Sequence, residues 1–396
     1  MKWASKVSTQ ESIEACVDEA VADVKKQLAG RDADLTLVFV SPHFRTHYRV
    51  IPQLLKDRMP VGLLIGCSGG GIIGGGKEIE NRPAFSLTAA HLPKVDLKPI
   101  QTDTQDLPDP DTAPSVWRDW VGVDAQSNPN FIMLADPFSF NAEDFLAGLD
   151  FAYPRSPKVG GLISGAQAPG GNVMYLDDKI HSQGMVGVAL SGRVQLDTIV
   201  AQGCRPIGNP LNITQCDGTQ LLAVDGQPPL ELLEEMVDSL DEYDRKLLRT
   251  SLFLGIEMDP LKDDPGQGDF LIRNLIGVDQ EAGTLTVGAL LREGQLVQFH
   301  LRDKELSSED LKIMLSRYQS KDGWQDAKGA LLFSCLGRGE YLYGTPNHDS
   351  DLFKTQLGNI PLGGFFCNGE IGPVGQTTFV HGYTSSFGIF RPTPQV

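Results

Sequence analysis

Small polar and thiol side chains in this chain follow apolar segments and stand beside glycines, an arrangement that suits ligand binding. The candidate ligand-binding residues are Cys67, Ser68, Gly69, Gly70, Ser164, Cys335, Arg338, Gly339, Asn368 and Glu370. Glycine lets the backbone turn sharply and come close to a ligand. Strand ends followed by such loops are where mixed sheets usually bind small molecules. We therefore expect a binding site rather than a catalytic centre.

Two of the C-terminal candidates carry opposite charges. Arg338 stands in FSCLGRG and Glu370 in FFCNGEIGP, each after an apolar segment. An arginine fork can bind a carboxylate through two hydrogen bonds, and a glutamate can bind an ammonium group. If the two segments are neighbours, these residues would suit an amino acid or a similar small carboxylate, with Cys335 and Asn368 lining the same cavity. The alternative is a structural ion pair across a loop.

The glycine-rich segment GCSGGGIIGGGKEIE resembles phosphate-binding motifs only in part. Gly69, Gly71 and Gly74 match G-x-G-x-x-G, but Glu78 occupies the position where a P-loop has Ser or Thr. Both motifs also need a helix to begin at once, whereas Asn81-Arg82-Pro83 and another apolar segment follow here. A nucleotide site is therefore disfavoured. The segment is either a hairpin-like loop with positive backbone angles or a set of exposed amides that binds a carboxylate.

The elements around these residues repeat three times along the chain. Repeat 1 spans 35–91, repeat 2 spans 131–191 and repeat 3 spans 330–390, each with the order strand, helix, strand, glycine loop, strand. Internal repetition constrains a whole fold. The three sheets should therefore superpose with their glycine loops at equivalent ends. The continuous apolar strands before those loops should be buried on both faces: 61–66, 158–163 and 361–366.

The pattern of elements predicts a mixed α/β (α+β) protein of two tandem domains, whose mixed or antiparallel sheets are flanked by helices. A length of 396 residues favours two domains, and the character of the chain changes near Gly226, giving 1–226 and 227–396. Apolar periodicity predicts a helix over 9–29 and another over 44–58. A third helix is expected over 307–320, capped by Ser307. Residues 92–129 are rich in Asp, Pro and Gln, so they should form an acidic surface linker with a short helix near 116–120.

Composition narrows the class of protein. The formal net charge of −17 argues against a nucleic-acid or anionic-membrane surface. No apolar run reaches the roughly 18 residues that span a bilayer, and the N terminus has no signal core. The six cysteines are scattered and form no CxxC pair, which is typical of a reducing cytosol. We therefore expect a cytoplasmic protein.

Three other kinds of site compete with ligand binding. A thiol nucleophile, Cys67, Cys335 or Cys367, activated by His381 or His91, would suit acyl transfer or hydrolysis. A serine hydrolase is a less favoured alternative, because the sequence has no GxSxG nucleophile elbow in which a helix follows the serine. His43 and His47 stand four apart, as a metal or haem pair could, but no third ligand has matching spacing. In a further alternative, the protein is an adaptor that presents its acidic stretch 103–111 to a protein partner.

Four blocks in order, LIGCSGGGIIGGGKEIE, AQGCRPIGNPLNIT, FSCLGRG and IPLGGFFCNGEIGP, resemble the FIST family of sensory domains. The resemblance covers nearly the whole chain after residue 30, across an N-terminal and a C-terminal FIST half. It implies a module that binds a small ligand such as an amino acid, with haem as a minor alternative and no other cofactor. FIST relatives often carry signalling domains or an F-box. Here about thirty residues precede the first strand and none follows Val396, so output is expected to pass to a separate signalling protein.

Overall fold

The computed structural model describes residues 1–109 and 111–393, apart from the side chain of Asp238. These residues fall into two compact units. The larger unit comprises Met1–Val200, Lys312–Val380 and the C-terminal residues from Thr384, and the smaller comprises Ala201–Leu311 and His381–Tyr383. The larger unit therefore contains residues from both sides of residue 226 and is not the consecutive segment 1–226.

The strands and helices follow one another in short alternating segments. From the N terminus to residue 201 they are β1 Lys2–Ser8, α1 Ile13–Leu28, β2 Leu35–Val40, α2 Ile51–Lys56, β3 Leu63–Ser68, β4 Gly71–Gly74, β5 Lys77–Glu80, β6 Phe85–His91, β7 Val95–Thr102, α3 Pro114–Val121, β8 Asn130–Ala135, α4 Ala142–Ala152, β9 Lys158–Leu162, β10 Met174–Leu176, β11 Lys179–His181, β12 Met185–Gly192 and β13 Gln195–Ala201. The next are β14 Cys204–Asp217, β15 Gln220–Val224, α5 Pro229–Ser239, α6 Glu242–Leu248, β16 Leu252–Glu257, β17 Phe270–Asp279, β18 Thr284–Val287, β19 Leu296–Arg302 and α7 Lys304–Gln319. The last are β20 Gly329–Cys335, α8 Gly339–Tyr343, α9 His348–Leu357, β21 Leu362–Cys367, β22 Gly369–Val374, β23 Thr377–His381 and β24 Ser385–Arg391.

The three predicted repeats have the same strand pairing. In each, the first two strands are parallel (β2 and β3, β8 and β9, β20 and β21), and the first and last strands are antiparallel (β2 and β6, β8 and β12, β20 and β24). A further strand, β1, β7 or β13, borders the last strand of each repeat. The predicted mixed sheets and the repeated β-α-β-β order are therefore confirmed.

Each sheet is completed by a hairpin from a different repeat. The hairpin β4–β5 of repeat 1 pairs with β21, β10–β11 of repeat 2 pairs with β3, and β22–β23 of repeat 3 pairs with β9. The three sheets thus have equivalent orders: β1-β6-β2-β3-β10-β11, β7-β12-β8-β9-β22-β23 and β13-β24-β20-β21-β4-β5. This exchange places the three glycine loops at equivalent ends of their sheets, as the repeat predicts.

One apolar core joins the three repeats. It includes Phe39 of β2, Phe333 of β20 and Phe365 of β21, together with apolar side chains of repeat 2. The Phe39 and Phe365 rings stack at 5.2 Å, and Phe333 meets Phe365 edge-on at 5.8 Å. The strands before the glycine loops are buried along nearly their whole lengths, as expected for strands covered on both faces.

Helix α1 confirms the predicted apolar face. The residues that repeat at helical spacing are all buried: Ile13, Cys16, Val17, Ala20, Val21, Val24 and Leu28. The Ser12 side chain accepts a hydrogen bond from the Ala15 amide and caps the first turn. The apolar periodicity of the sequence therefore predicted this helix correctly.

Two helix predictions need correction. The expected helix 44–58 is a 3₁₀ helix over Pro42–Val50 followed by the short α2, since Pro52 at the start of α2 has no amide proton to continue the ladder. The expected cap Ser307 lies inside α7, which begins at Lys304. The cap is Asp303, whose carboxylate accepts from the amides of Glu305 and Leu306.

The expected linker 92–129 is largely regular structure. Residues 95–102 form β7, which pairs with β12 along its whole length, and α3 covers the predicted short helix. Trp117 of α3 is completely buried against the Phe145 ring. Alternating side chains in VDLKPIQT suffice for an edge strand, which tolerates charge and proline. Pro110 lies outside the described residues.

The smaller unit is a closed barrel with the order β14-β15-β18-β17-β16-β19. Its interior is filled by apolar side chains such as Leu254, Val297 and Phe299. Leu233 of α5 joins this core. Over the described residues of both units, no helix is long and apolar enough to cross a membrane.

Candidate functional site

The polar residues at the ends of the three glycine-flanked strands lie together. The Ser68 hydroxyl donates to the Ser164 carbonyl at 3.1 Å, and the Ser164 hydroxyl donates to the Phe366 carbonyl. The Asn368 amide side chain donates to the Ile163 carbonyl at 3.1 Å. Ser68, Ser164 and Asn368 belong to different repeats, so the exchange of hairpins brings their loops to one place. Sequence reasoning named all three.

The glycine-rich segment after Ser68 is a hairpin. Gly75 and Gly76 form the turn between β4 and β5 with positive φ angles of 58° and 75°, which glycine adopts without strain. The amide of Gly70 donates to the Ser164 hydroxyl at 2.8 Å, and that of Gly69 donates to the Val40 carbonyl at 3.0 Å. These amides are thus engaged within the protein. No helix begins here, so the phosphate-binding alternative has no structural basis.

A buried polar network extends from Ser68. The Asn172 oxygen lies 3.5 Å from the Ser68 hydroxyl, and the Asn172 nitrogen donates to Asp136 at 3.0 Å. Ser139 donates to the other Asp136 oxygen at 2.7 Å. Asp136 follows β8, and both Asp136 and Asn172 are buried. Sequence reasoning missed these two residues, although Asp136 directly follows the apolar segment FIMLA and could have been found by its place in the repeat.

An open cavity of about 650 Å³ lies against this network. It is lined by residues of the 3₁₀ helix and of the segment around β10 and β11: Arg45, Thr46, Tyr48, Arg49, Gly170, Gly171, Asn172, Val173, Ile180 and Ser182. Burial raises the pKa of the Tyr48 hydroxyl, while a hydrogen bond with Ser68 opposes that rise. Tyr48 and Asn172 therefore connect the cavity to Ser68. We call this cavity the arginine pocket.

Arg45 and Arg49 give the arginine pocket its positive charge. Both side chains are exposed. Within the described part of the chain, neither guanidinium has a carboxylate within 4 Å. The two charges are therefore available to an anion. Sequence reasoning did not single them out, because only the neighbouring His43 and His47 were considered there, as a metal or haem pair.

A larger cavity of about 770 Å³ lies elsewhere in the larger unit. Asn130 and Pro157 in its wall stand at the start of β8 and β9, at the other end of these strands from Ser164. It contains none of the candidate residues. Size alone therefore does not identify the site.

Arg338 is completely buried and bound by an internal carboxylate. Its Nε and Nη2 atoms donate to the two Asp349 oxygens at 2.9 and 3.0 Å, and Nη2 also donates to the Tyr343 hydroxyl. Burial alone would raise the pKa of the Asp349 carboxyl, but the adjacent guanidinium holds that pKa well below its usual range. Ser385 also donates to Asp349. The fork predicted to bind a ligand carboxylate therefore binds Asp349, which sequence reasoning did not name.

Glu78, in the position that a P-loop gives to Ser or Thr, is buried beside this ion pair. Its Oε1 atom accepts from the Ser350 amide at 2.7 Å, and its other oxygen is buried without a partner among the described residues. Burial, together with the negative charge of Asp349, raises the pKa of Glu78 to about 8. The Glu80 carboxylate accepts from the Glu340 amide, next to the candidate Gly339.

The remaining candidates are Glu370 and the cysteines. The Glu370 carboxylate is buried, accepts from the Thr384 amide at 3.0 Å and lies 3.4 Å from the Cys367 sulfur. Burial raises the pKa of the Cys67 and Cys367 thiols, which disfavours the reactive thiolate. Cys335 is half-buried.

The histidine pair lacks the geometry expected of metal or haem ligands. His43 and His47 are both exposed on the 3₁₀ helix. Because such a helix has three residues per turn, residues four apart do not share a face. The described residues contain no cluster of three or more metal-binding side chains.

Comparison with known proteins shows which family this chain resembles. Residues 34–227 match the FIST N domain and residues 229–373 match the FIST C domain. An uncharacterized protein of Mycobacterium tuberculosis is 34% identical over 387 residues, covering 97% of this chain and 98% of the relative. An F-box/LRR-repeat protein of Arabidopsis thaliana is 26% identical over 58% of this chain and 49% of its own length. A solved cyanuric acid hydrolase from A. caulinodans, 10% identical, covers 99% of this chain and 100% of its own at a TM-score of 0.34, too low to support an argument. With both domains matched along most of its length, the chain belongs to the FIST family.

Proposed function

We propose that this protein is a sensory module that binds a small carboxylate, such as an amino acid, in the arginine pocket. FIST domains are sensory domains of signal-transduction proteins. The observation that carries the proposal is the pair Arg45 and Arg49 at an open cavity, with no carboxylate of the described residues within 4 Å. Exposed arginines bind carboxylates through paired, charge-assisted hydrogen bonds.

The polar network next to the pocket would transmit the effect of ligand binding to the rest of the larger unit. Asn172 lines the pocket and lies next to Ser68, which binds the Ser164 carbonyl. A ligand that draws Asn172 away from Ser68 would loosen the contact between repeats 1 and 2. The side chain of Asn368 would also be affected, because it donates a hydrogen bond to the carbonyl of Ile163, the residue before Ser164. Binding would thus alter the place where all three repeats meet.

The other candidates keep supporting roles in this proposal. Cys67, Gly69 and Gly70 would hold the loop behind the pocket, while Cys335, Arg338, Gly339 and Glu370 would fix the equivalent loop of repeat 3. We further propose that the signal passes to a separate signalling protein in the cytoplasm. The matched ranges end at 227 and begin again at 229, which supports 1–226 and 227–396 as the two family domains.

The test is a thermal-shift and calorimetric titration with named probes: glutamate, aspartate, succinate and citrate, with cadaverine and putrescine as cationic probes that carry no carboxylate. At least one carboxylate probe should raise the unfolding temperature without being consumed, and the cationic probes should not. Replacing Arg45 and Arg49 together with alanine should weaken that binding at least tenfold. Arg45→Lys should weaken it less, because lysine keeps the charge but not the fork.

Arg155→Ala is the matched control, since Arg155 is an exposed arginine that lines the larger cavity instead. It should bind the carboxylate as the unaltered protein does. If the double variant also binds normally, or if no carboxylate binds at all, the arginine pocket is not the ligand site.

A further inference from the structure

Two cysteines of repeat 3 stand side by side on adjacent strands. Strands β20 and β21 are parallel, and their register pairs Cys335 directly with Cys367. Neighbouring strands lie about 4.8 Å apart. A disulfide needs Cα atoms roughly 4.4–6.8 Å apart, so the backbone spacing of this pair is already suitable.

Both side chains project from the same face of the sheet. Partners in register on parallel strands point the same way, and Cys367 belongs to the core that contains Phe333 and Phe365, two residues before each cysteine. The Cys367 sulfur lies 3.4 Å from the Ser334 carbonyl, so it leans toward the strand that ends in Cys335. Both cysteines are the last residues of their strands. Ends of strands can shift slightly to bring two sulfurs together.

The two thiols differ in access. Cys367 is buried, and its raised pKa keeps it protonated. Cys335 is half-buried, and its sulfur accepts a hydrogen bond from the Gly337 amide in the following turn. Cys335 is therefore the thiol that an external reagent reaches first, and Cys367 is placed behind it.

We propose that Cys335 and Cys367 form a reversible intramolecular disulfide when the protein meets a low-molecular-weight disulfide. The Cys335 thiolate attacks one sulfur of the reagent, which breaks the reagent's S–S bond and releases one small thiolate. Cys367 then attacks the Cys335 sulfur of the mixed disulfide and releases the second small thiolate, which takes up the Cys367 proton as it leaves. Two protein thiols are oxidised and the reagent is reduced to two thiols, so the exchange balances.

In the described strands, no other cysteine is paired in register with a second cysteine. Cys67 of β3 is paired in register with Phe39 and Met174, and Cys16 lies on α1. Cys204 and Cys216 belong to the smaller unit, on β14. The half-exposed Cys216 is expected to form only a mixed disulfide. The proposed bridge is thus specific to one pair.

The experiment treats the folded full-length chain carrying Cys216→Ser with oxidised glutathione and maps its peptides by mass spectrometry. A single peptide pair joined through Cys335 and Cys367 is expected, with the protein lighter by two hydrogens and without a glutathionyl group. Reduced glutathione in excess should restore both thiols. This readout uses no ligand, so it is independent of the proposed carboxylate site.

Single substitutions separate the two steps. With Cys367→Ser, the mixed disulfide should accumulate on Cys335 because no second thiol can displace the glutathione. With Cys335→Ser, Cys367 should stay unmodified for the same exposure time. Thermal unfolding checks that each variant is folded. A bridge between other cysteines, a stable mixed disulfide on Cys335 while Cys367 is present, or no oxidation of the pair would each overturn the proposal.

Discussion

At the scale of single residues, a cluster of buried charged groups surrounds Arg338. The side chains of Arg338 and Asp349 are 0% and 2% exposed, and they bind each other through two hydrogen bonds. The ion pair satisfies both groups in a medium where an unpaired charge is very unfavourable. Glu78 and Ser385 extend the cluster. It fixes the loop that follows β20.

Removing one charge of this pair should strongly destabilise the protein. Asp349→Asn leaves a buried guanidinium without its carboxylate, so we expect a loss of about 3–5 kcal/mol in the free energy of unfolding. Arg338→Lys keeps a charge but loses the fork, and about 1–3 kcal/mol should be lost. Urea denaturation measures both. Asp18→Asn, which breaks an ion pair whose Asp18 side chain is 62% exposed, is the control and should cost less than about 1 kcal/mol.

If Asp349→Asn behaves like Asp18→Asn, the pair is not the source of stability that its burial suggests. Carboxylate binding in the arginine pocket should survive Arg338→Lys. If that variant lost carboxylate binding but kept the stability of the unaltered protein, Arg338 would belong to the ligand site.

Glu78 should make stability depend on pH. Its pKa is raised from 4.5 to about 8 in the folded protein, so the folded state holds a proton that the unfolded state has released between these values. Its contribution to stability is therefore fully present below about pH 4.5 and is lost as the pH rises through about 8, with a slope of at most about 1.4 kcal/mol per pH unit. Glu78→Gln imitates the protonated group and should flatten this decline.

Urea denaturation at several pH values between 5 and 9 tests the Glu78 prediction. Glu14→Gln, at an exposed position of α1 in the same unit, controls for the loss of one negative charge. Equal slopes in the unaltered protein and in Glu78→Gln would show that Glu78 is ionised throughout the range.

At the scale of elements, the second parallel strand of a repeat needs glycine where it meets the first. Gly160 of β9 and Gly364 of β21 each stand four residues before the polar residues that follow these strands, Ser164 and Asn368, at equivalent positions. A Cβ atom would lie 1.8 Å from the Met133 carbonyl oxygen at Gly160 and 1.9 Å from that of Leu332 at Gly364. Real Cβ contacts are never so short, so the strands approach each other only because both residues are glycine.

Gly364→Ala should therefore destabilise the sheet by more than a change of backbone entropy explains. We expect a loss of at least about 3 kcal/mol, because β20 and β21 must move apart. The control is Gly76→Ala, where φ is +75° but nothing lies within 4 Å of the added atom, and about 1 kcal/mol should be lost. Thermal and urea unfolding compare the two. Similar losses of stability in the two variants would mean that β21 accommodates the added methyl group by a small movement.

At the scale of the whole molecule, the exchange of hairpins joins distant parts of the chain within the larger unit. Strand β4 near the N terminus pairs with β21, and β9 pairs with β22 near the C terminus. A fragment that ends at residue 226 would leave β9 and β4 as unpaired edges, which are prone to aggregate. The two family domains are therefore not expected to be independent folding units.

Expressed alone, 1–226 should be insoluble or lack a cooperative thermal transition. Co-expression with 227–396 should restore a soluble complex that unfolds in one step, as measured by circular dichroism and size-exclusion chromatography. The control fragment is 201–311, which contains the closed barrel and has no open sheet edge to complete. It should fold alone. A well-folded, monomeric 1–226 would show that the exchanged hairpins contribute little.

Local patterns in the sequence determined the elements and the repeat. The spacing of the apolar residues of α1 and the continuous apolar strands before the glycine loops were predicted correctly, because burial on one face or on two imposes a period that neighbouring residues reveal. Ser68, Ser164 and Asn368 were named for the same reason, since each lies at or just beyond the end of such a strand. The prediction of a surface linker over 92–129 was wrong, because an edge strand such as β7 needs little apolar surface and its sequence resembles that of a surface loop.

Tertiary structure alone decided which residues meet. Ser164 binds Phe366 from 202 residues away, and Glu78 binds Ser350 from 272 residues away. Nothing in the local sequence specifies such pairs, because they follow from the strand order and the exchange of hairpins. The partner of Arg338 is Asp349, at the start of a helix whose position depends on the sheet beneath it. The sequence thus determined the repeated elements and the family, while the fold decided which charges are satisfied internally and which, at Arg45 and Arg49, face an open cavity.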